Sequence, residues 1–327
     1  GGGIGVDISW LRPKDSLVHN EADSSTGAVS FMELYSLTTG LIGQSGRRGA
    51  LMLTIDVKHP DIQHFIKVKK MPNWVTNQIV EQCGWSGMFD DKELDTIKKQ
   101  VMENTQVRFA NISVKASDEF MQAIDEQREF GDTALLVYQK NNKDRVMSAP
   151  QDEEDVHYSS GIPSKNPKDY ELLNSFKSFN QLKKWVKDNH DYDLQKADFE
   201  DASKRDIYGD YIIPMSKGKS DIVLKAAGDF MLYFDSPNTN EIKNLIKARE
   251  IWDQFIEGNY KTAEPGLIFW STMSDYSPSN YVGKPIICTN PCAEVPLEDG
   301  GACNLGSINL SRFVNNGFTP EASIDWD

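Results

Sequence analysis

Ala50-Leu51-Met52-Leu53-Thr54-Ile55-Asp56-Val57 is the stretch on which the fold turns. It is nearly all apolar, the pattern of a strand covered on both faces. Upstream, Thr26 caps a helix predicted over 26–43, with Val29, Met32, Leu34, Leu37 and Leu41 supplying its apolar faces. Downstream, Pro60 opens a helix predicted over 61–70. Helix, buried strand, helix is α/β organisation.

The alternation extends in both directions. A second strand is predicted over 107–114, and Ser117 caps the next helix with Asp118 and Glu119 in its first turn. At the other end, Gly1-Gly2-Gly3-Ile4-Gly5-Val6-Asp7-Ile8 reads as a glycine turn feeding an alternating strand that Pro13 ends. The glycines leave two readings open, a flexible leader or close backbone approach to a ligand. A dinucleotide-binding loop fits less well, because its glycines follow a strand and open a helix. Arg47 and Arg48, in a glycine-flanked turn, are either solvated or meet a phosphate.

Residues 71–107 are less regular and hold two amphipathic pieces. Residues 128–226 change texture, being charged and rich in Lys, Asn and Ser, with a helix predicted over 170–190. This region reads as a surface insertion. Its run Asp152-Glu153-Glu154-Asp155 lacks the ligand spacing of a calcium loop and reads as solvated. A strand is predicted over 229–234, an amphipathic helix over 240–260 and a short buried strand over 265–270.

The chain then reaches Thr289-Asn290-Pro291-Cys292-Ala293-Glu294 and Ala302-Cys303-Asn304-Leu305-Gly306-Ser307-Ile308-Asn309-Leu310. If extended, the i, i+2 spacing of Asn290, Cys292 and Glu294 puts a thiol, an amide and a carboxylate on one face. Such a trio supports catalysis; a structural cysteine in a polar loop is the plainer alternative.

Composition narrows the field. The 327 residues are 39% hydrophobic, enough for a substantial core. The net charge of −14 argues against sequence-independent binding of nucleic acid or of an anionic membrane, so neither is expected as a partner. Four cysteines without C-x-x-C spacing suggest neither a disulfide scaffold nor a structural metal site. The expected compartment is the reducing cytoplasm. The chain opens without methionine and stops without a terminating signal, and is expected to be a piece of a longer protein.

Together these motifs resemble the large, catalytic subunit of ribonucleotide reductase. The resemblance rests on Asn290-Pro291-Cys292-Ala293-Glu294 and the Cys303 segment, on Gly1 to Pro13, and on Arg47-Arg48-Gly49-Ala50 with Asp56-Val57-Lys58-His59-Pro60-Asp61. Asn111-Ile112-Ser113-Val114, Ala248-Arg249-Glu250-Ile251-Trp252 and Glu264-Pro265-Gly266-Leu267 continue it, in the family's order. The wording is most similar to the class II, adenosylcobalamin-dependent branch.

The resemblance implies part of a ten-stranded α/β barrel, the first half-barrel plus a central cysteine loop. Residues 1–127 would begin the barrel, 128–226 would be the charged surface insertion, and 227–327 would continue the barrel with the loop. The implied activity is thiyl-radical reduction of ribonucleoside di- or triphosphates to deoxyribonucleotides for DNA synthesis. Cys292 would form the radical, Glu294 would act as base, Asn290 would hydrogen-bond the sugar, and Cys303 would be half of a redox pair. Gly2 and Gly3 would approach the substrate, and Arg12 would help bind a deoxynucleotide effector. The implied cofactor is adenosylcobalamin, with an external dithiol such as thioredoxin as reductant. Implied partners are the ribonucleotide, the effector, the rest of the barrel and a second copy in a homodimer.

The residues agree with these roles. Lys284 is the one basic group near Cys292 in sequence, against Glu294, Glu298 and Asp299, a balance that favours the neutral thiol. Burial of Glu294 would raise its pKa towards that of a useful base. The alternatives are a class I large subunit needing a metal-containing radical partner, a nucleotide-binding fragment without turnover, and an unrelated thiol enzyme.

Overall fold

The computed structural model describes residues 3–18, 24–42, 49–70, 73–103, 107–141, 162–215, 220–236, 239–304 and 306–326. Gly2, the Arg47-Arg48 turn and the Asp152–Asp155 acidic run lie outside the described residues. In chain order the elements begin with β1 (Gly3–Asp7), α1 (Ser30–Leu41), β2 (Ala50–Asp56), α2 (Ile62–Lys67), α3 (Asn73–Trp85) and α4 (Asp91–Glu103). Next come β3 (Asn111–Ala116), α5 (Asp118–Phe130), β4 (Leu135–Lys140), β5 (Tyr170–Phe176), α6 (Phe179–His190) and α7 (Lys196–Glu200). β6 (Tyr211–Ile213), β7 (Ile222–Ala226), β8 (Asp229–Ser236), β9 (Thr239–Lys247) and α8 (Ala248–Thr262) follow. The last are β10 (Gly266–Phe269), α9 (Trp270–Tyr276), α10 (Pro278–Tyr281), β11 (Ile286–Thr289), β12 (Pro296–Glu298), β13 (Val314–Asn315) and β14 (Ser323–Ile324).

The first sheet is parallel and 4-stranded, in the order β1-β2-β3-β10. Its register sorts the side chains cleanly. Leu51, Leu53 and Ile55 stand beside Ile112, Val114 and Ala116 on one face, which α1, α2, α5 and α8 cover through Met32, Phe65, Phe120 and Ile251. The other face carries Gly3, Gly5, Asp7, Thr54, Asn111, Ser113, Lys115 and Gly266. It is mostly small and polar, with Met52 and Ile268 as its large apolar members, and Thr54, Ser113 and Lys115 are buried there. The α/β class and the doubly covered β2 are as expected; among the described strands this sheet is open rather than closed into a barrel.

Helix α5 starts as its sequence predicts. Ser117 Oγ accepts from Phe120 N at 3.3 Å, and Gly131, at φ 81, releases the chain at the other end. Three expectations need correction. Residues 170–176 form a strand on β4, and only Phe179–His190 is helical. Residues 239–247 form a strand on β8, so the helix begins at Ala248. The strand expected from 107 begins at Asn111, because Val107 is left-handed at φ 59 in a turn.

Strands β4, β5, β6 and β7 build a second, antiparallel sheet in the order β5-β4-β7-β6. It has its own core, in which Leu182 and Val186 of α6 pack on Val137, Tyr211, Ile222 and Leu224. Strand β8 lies at the seam. Its Phe230 and Leu232 enter the core of the parallel sheet, while Met231 and Tyr233 pack with Ile162 on the other side. No helix among the described residues is long and apolar enough to cross a membrane.

Candidate active site

The cysteine segment forms the hairpin β11–β12, which packs on the small, polar face of the parallel sheet. Glycines of β1 admit it. A Cβ on Gly3 would stand 2.4 Å from Pro291 Cγ, and one on Gly5 would stand 2.0 Å from the Thr289 carbonyl oxygen. Longer side chains of β3 reach it as well. Asn111 Nδ2 donates to Pro291 O at 2.8 Å, and Lys115 Nζ donates to Ile287 O at 3.3 Å. Between these contacts Thr54 Oγ1 lies 3.4 Å from Cys288 Sγ. Ile268 of β10 adds an apolar contact, clustering with Ile286 and packing against Ala293.

Beneath the hairpin sits a buried charged group. Asp7 Oδ1 pairs with Lys115 Nζ at 2.9 Å and accepts from Thr54 Oγ1 and Ser9 Oγ. Lys115 Nζ also lies 4.6 Å from the centre of the Trp270 ring, a cation–π contact. Asp7 Oδ2 is buried with no hydrogen-bond partner among the described residues. Burial pushes the Cys288 thiol above its ordinary pKa.

At the tip the chain reverses tightly. Asn290 N donates to Val295 O at 3.0 Å, Ala293 N donates to Asn290 O at 3.0 Å, and Asn290 Oδ1 accepts from Val295 N at 3.1 Å. Ala293 takes a left-handed φ of 65. The extended segment assumed for the i, i+2 trio is therefore replaced by a turn. Asn290 Oδ1 braces that turn. Cys292 and Glu294 are exposed and Cys303 is half-buried beyond β12; all four cysteines are free thiols. Among the described residues nothing buries Glu294.

Gly3 lies under Pro291, directly before Cys292. Half-buried Arg12 follows the far end of β1, so it does not join the cysteine tip. Sequence reasoning missed Gly5, Asp7, Thr54, Asn111 and Lys115. The available signal was period-two polarity at 111, 113 and 115 within an apolar strand. Among the described residues no group of three or more His, Cys, Asp or Glu side chains is placed to hold a metal.

The whole chain, residues 1–327, matches the family model described as ribonucleotide reductase, barrel domain. This chain belongs to the ribonucleotide reductase family. Among its reductase relatives is the vitamin B12-dependent ribonucleoside-diphosphate reductase of Thermoplasma acidophilum, 29% identical over 328 residues, covering 100% of this chain and 25% of the relative. The vitamin B12-dependent ribonucleotide reductase of Agrobacterium fabrum is 27% identical over 315 residues, covering 96% and 21%. The vitamin B12-dependent ribonucleoside-diphosphate reductase of Mycobacterium tuberculosis is 22% identical over 328 residues, covering 100% and 27%. The chain thus spans about a quarter of the length of these curated relatives. The parallel sheet and the hairpin both lie within the residues matched to the barrel-domain model.

Proposed function

We propose that this chain is the cysteine-bearing part of a vitamin B12-dependent ribonucleotide reductase that converts ribonucleotides to deoxyribonucleotides. The observation that carries the reading is Cys292 at the exposed tip of a hairpin seated on the polar face of a parallel sheet. The names of the relatives support the B12-dependent branch over a class I subunit with a metal-containing partner.

In this reading Cys292, as a thiyl radical, takes the 3′ hydrogen atom of the ribose. Glu294 accepts the proton of the 3′ hydroxyl and Asn290 donates its amide to the sugar. The 2′ hydroxyl leaves as water with a proton from the thiol pair, and Cys292 returns its hydrogen atom to C3′ at the end, regenerating the thiyl. Cys303 and a second thiol supplied from outside these residues provide two electrons and become a disulfide, which an external dithiol such as thioredoxin reduces. Gly2 and Gly3 border the substrate. Arg12, at the far end of β1 from the hairpin tip, binds a deoxynucleotide effector.

Adenosylcobalamin fits in one testable respect. A bulky cofactor has to reach the thiol from outside the sheet, and Cys292 is exposed whereas Cys288 is buried. The chemistry it supplies when bound is a one-electron oxidising equivalent for the Cys292 thiol. The rest of the barrel then covers Cys292 and Glu294 and excludes water. Residues 128–226 form the surface insertion between the two barrel segments, 1–127 and 227–327. Exposed Phe31, Leu34, Leu37 and Leu41 give α1 an apolar surface that suits a homodimer. The proposed compartment is the cytoplasm, where thiols stay reduced.

The test is deoxynucleotide formation by the full-length protein with adenosylcobalamin and a dithiol. Cys292→Ser is expected to abolish turnover with an unchanged thermal midpoint. Turnover that ignores the cobalamin and requires an iron- or manganese-containing partner overturns the assignment.

A further inference from the structure

We infer that Asn111 and Lys115 are positioning residues, a two-point grip by which β3 sets the reach of Cys292. The inference rests on the radical-cysteine reading above. The two side chains share the inner face of β3, roughly 13 Å apart along the strand. Their acceptors are two backbone carbonyls on the hairpin, taken in reverse order. Asn111 holds Pro291 O at 2.8 Å and Lys115 holds Ile287 O at 3.3 Å.

Two attachments fix both the position and the tilt of a strand, where one would leave a pivot. The grip acts directly on the cysteine. Pro291 O belongs to the peptide that joins Pro291 to Cys292, and that unit is planar, so holding the oxygen fixes where the Cys292 Cα begins. Gly3 and Gly5 set the depth, since the hairpin backbone and the Pro291 ring already occupy the space a Cβ would need.

Lys115 is itself held from three directions. Asp7 Oδ1 lies 2.9 Å away, the Trp270 ring 4.6 Å away, and Ile287 O takes a further proton direction. Asp7 is tied in turn to Thr54 and Ser9. Carrying a buried ion pair under a hairpin is costly, and a plain apolar contact would serve stability as well. What the ammonium adds is direction, because it donates to one chosen carbonyl.

Two variants of the full-length protein test the grip. Asn111→Asp is isosteric, exposed and removes the donor. Asp7→Asn with Lys115→Met removes the second attachment without leaving a lone buried charge. Each is expected to lower kcat roughly tenfold or more with KM for the ribonucleotide unchanged, as misplacement of a reacting group does. Each also changes the iodoacetamide alkylation rate of Cys292 by about threefold, through its altered access, while Cys303 keeps its rate. Asn111→Gln, which retains a donor, restores part of kcat. Wild-type kcat and wild-type Cys292 alkylation in both variants overturn the inference. So does a loss in which both cysteines and the thermal midpoint shift together. If the wild-type protein makes no deoxynucleotide, the functional reading fails, and the Cys292 to Cys303 alkylation comparison still decides the grip.

Discussion

Gly5 and Thr289 meet with no room for a methyl group between them: a Cβ on Gly5 would lie 2.0 Å from the Thr289 carbonyl oxygen and 2.8 Å from Cys288 Sγ. The first of these neighbours is backbone and cannot swing aside. Gly5→Ala is therefore expected to lift the hairpin from the sheet. The opposite, helix-covered face is untouched, so stability falls by only about 1–3 kcal/mol, the usual cost of overpacking. Turnover of the full-length protein falls on the order of 100-fold, because the cysteine is misplaced. Calorimetry and a deoxynucleotide assay measure the two effects separately.

The thiols separate by burial. Cys288 is buried under the hairpin with its pKa pushed up, first of all by desolvation, while Cys292 is exposed. Iodoacetamide at mildly alkaline pH is expected to label Cys292 readily and to spare Cys288 until denaturant is added, as peptide mass spectrometry would read. Equal labelling of both in the folded protein would contradict this hairpin placement.

Asp206, just before β6, makes stability sensitive to pH. Burial, and then the neighbouring charge of Asp210, push its carboxyl from 3.8 up to about 6. The folded state thus binds the proton more tightly than the unfolded state does. The resulting stability is fully present below pH 3.8 and is lost as pH rises through about 6. Asp206→Asn keeps an oxygen for the amides of Tyr208 and Asp210. It is expected to be more stable than wild type by about 1–2 kcal/mol at pH 7.5, with no difference near pH 4. Urea titrations at the two pH values check the sign.

Glu119 of α5 joins Lys58, which follows β2, to Lys165, which precedes β5. Its two carboxylate oxygens each accept from Lys58 Nζ at 3.0 Å, and Oε2 also accepts from Lys165 N at 2.9 Å. Glu119→Ala would leave a buried ammonium alone and is expected to cost about 3–5 kcal/mol in denaturant unfolding. Lys58→Met with Glu119→Leu should recover most of that loss.

Ala293 holds a left-handed φ of 65 at the hairpin tip. Glycine adopts that conformation without the Cβ penalty, so Ala293→Gly should relieve about 1 kcal/mol of local strain and keep turnover. Ala293→Val, branched at Cβ, should lower both stability and turnover. Thermal melts and steady-state kinetics of the pair give the comparison.

Much of the fold was legible locally. The apolar run 50–57 announced a doubly covered strand, and Ser117 with its acidic neighbours marked the start of α5. Two errors share one cause. Residues 170–176 and 239–247 carry apolar spacings that a helix or a strand can use, and pairing with distant β4 and β8 decided between them. Periodicity reports a buried face, not which partner buries it.

The sequence by itself determined the α/β class and the family through its ordered motifs, because these depend on residue types along the chain. Only the tertiary structure decided that Cys292 stands at the tip of a turn and that Gly3 and Gly5 are the space beneath it. It also placed Asn111, Lys115 and Asp7, remote from Cys292 in sequence, under the same hairpin. The reason is physical: a parallel register puts residues far apart in the chain side by side on one face, and no local pattern encodes which of them will meet.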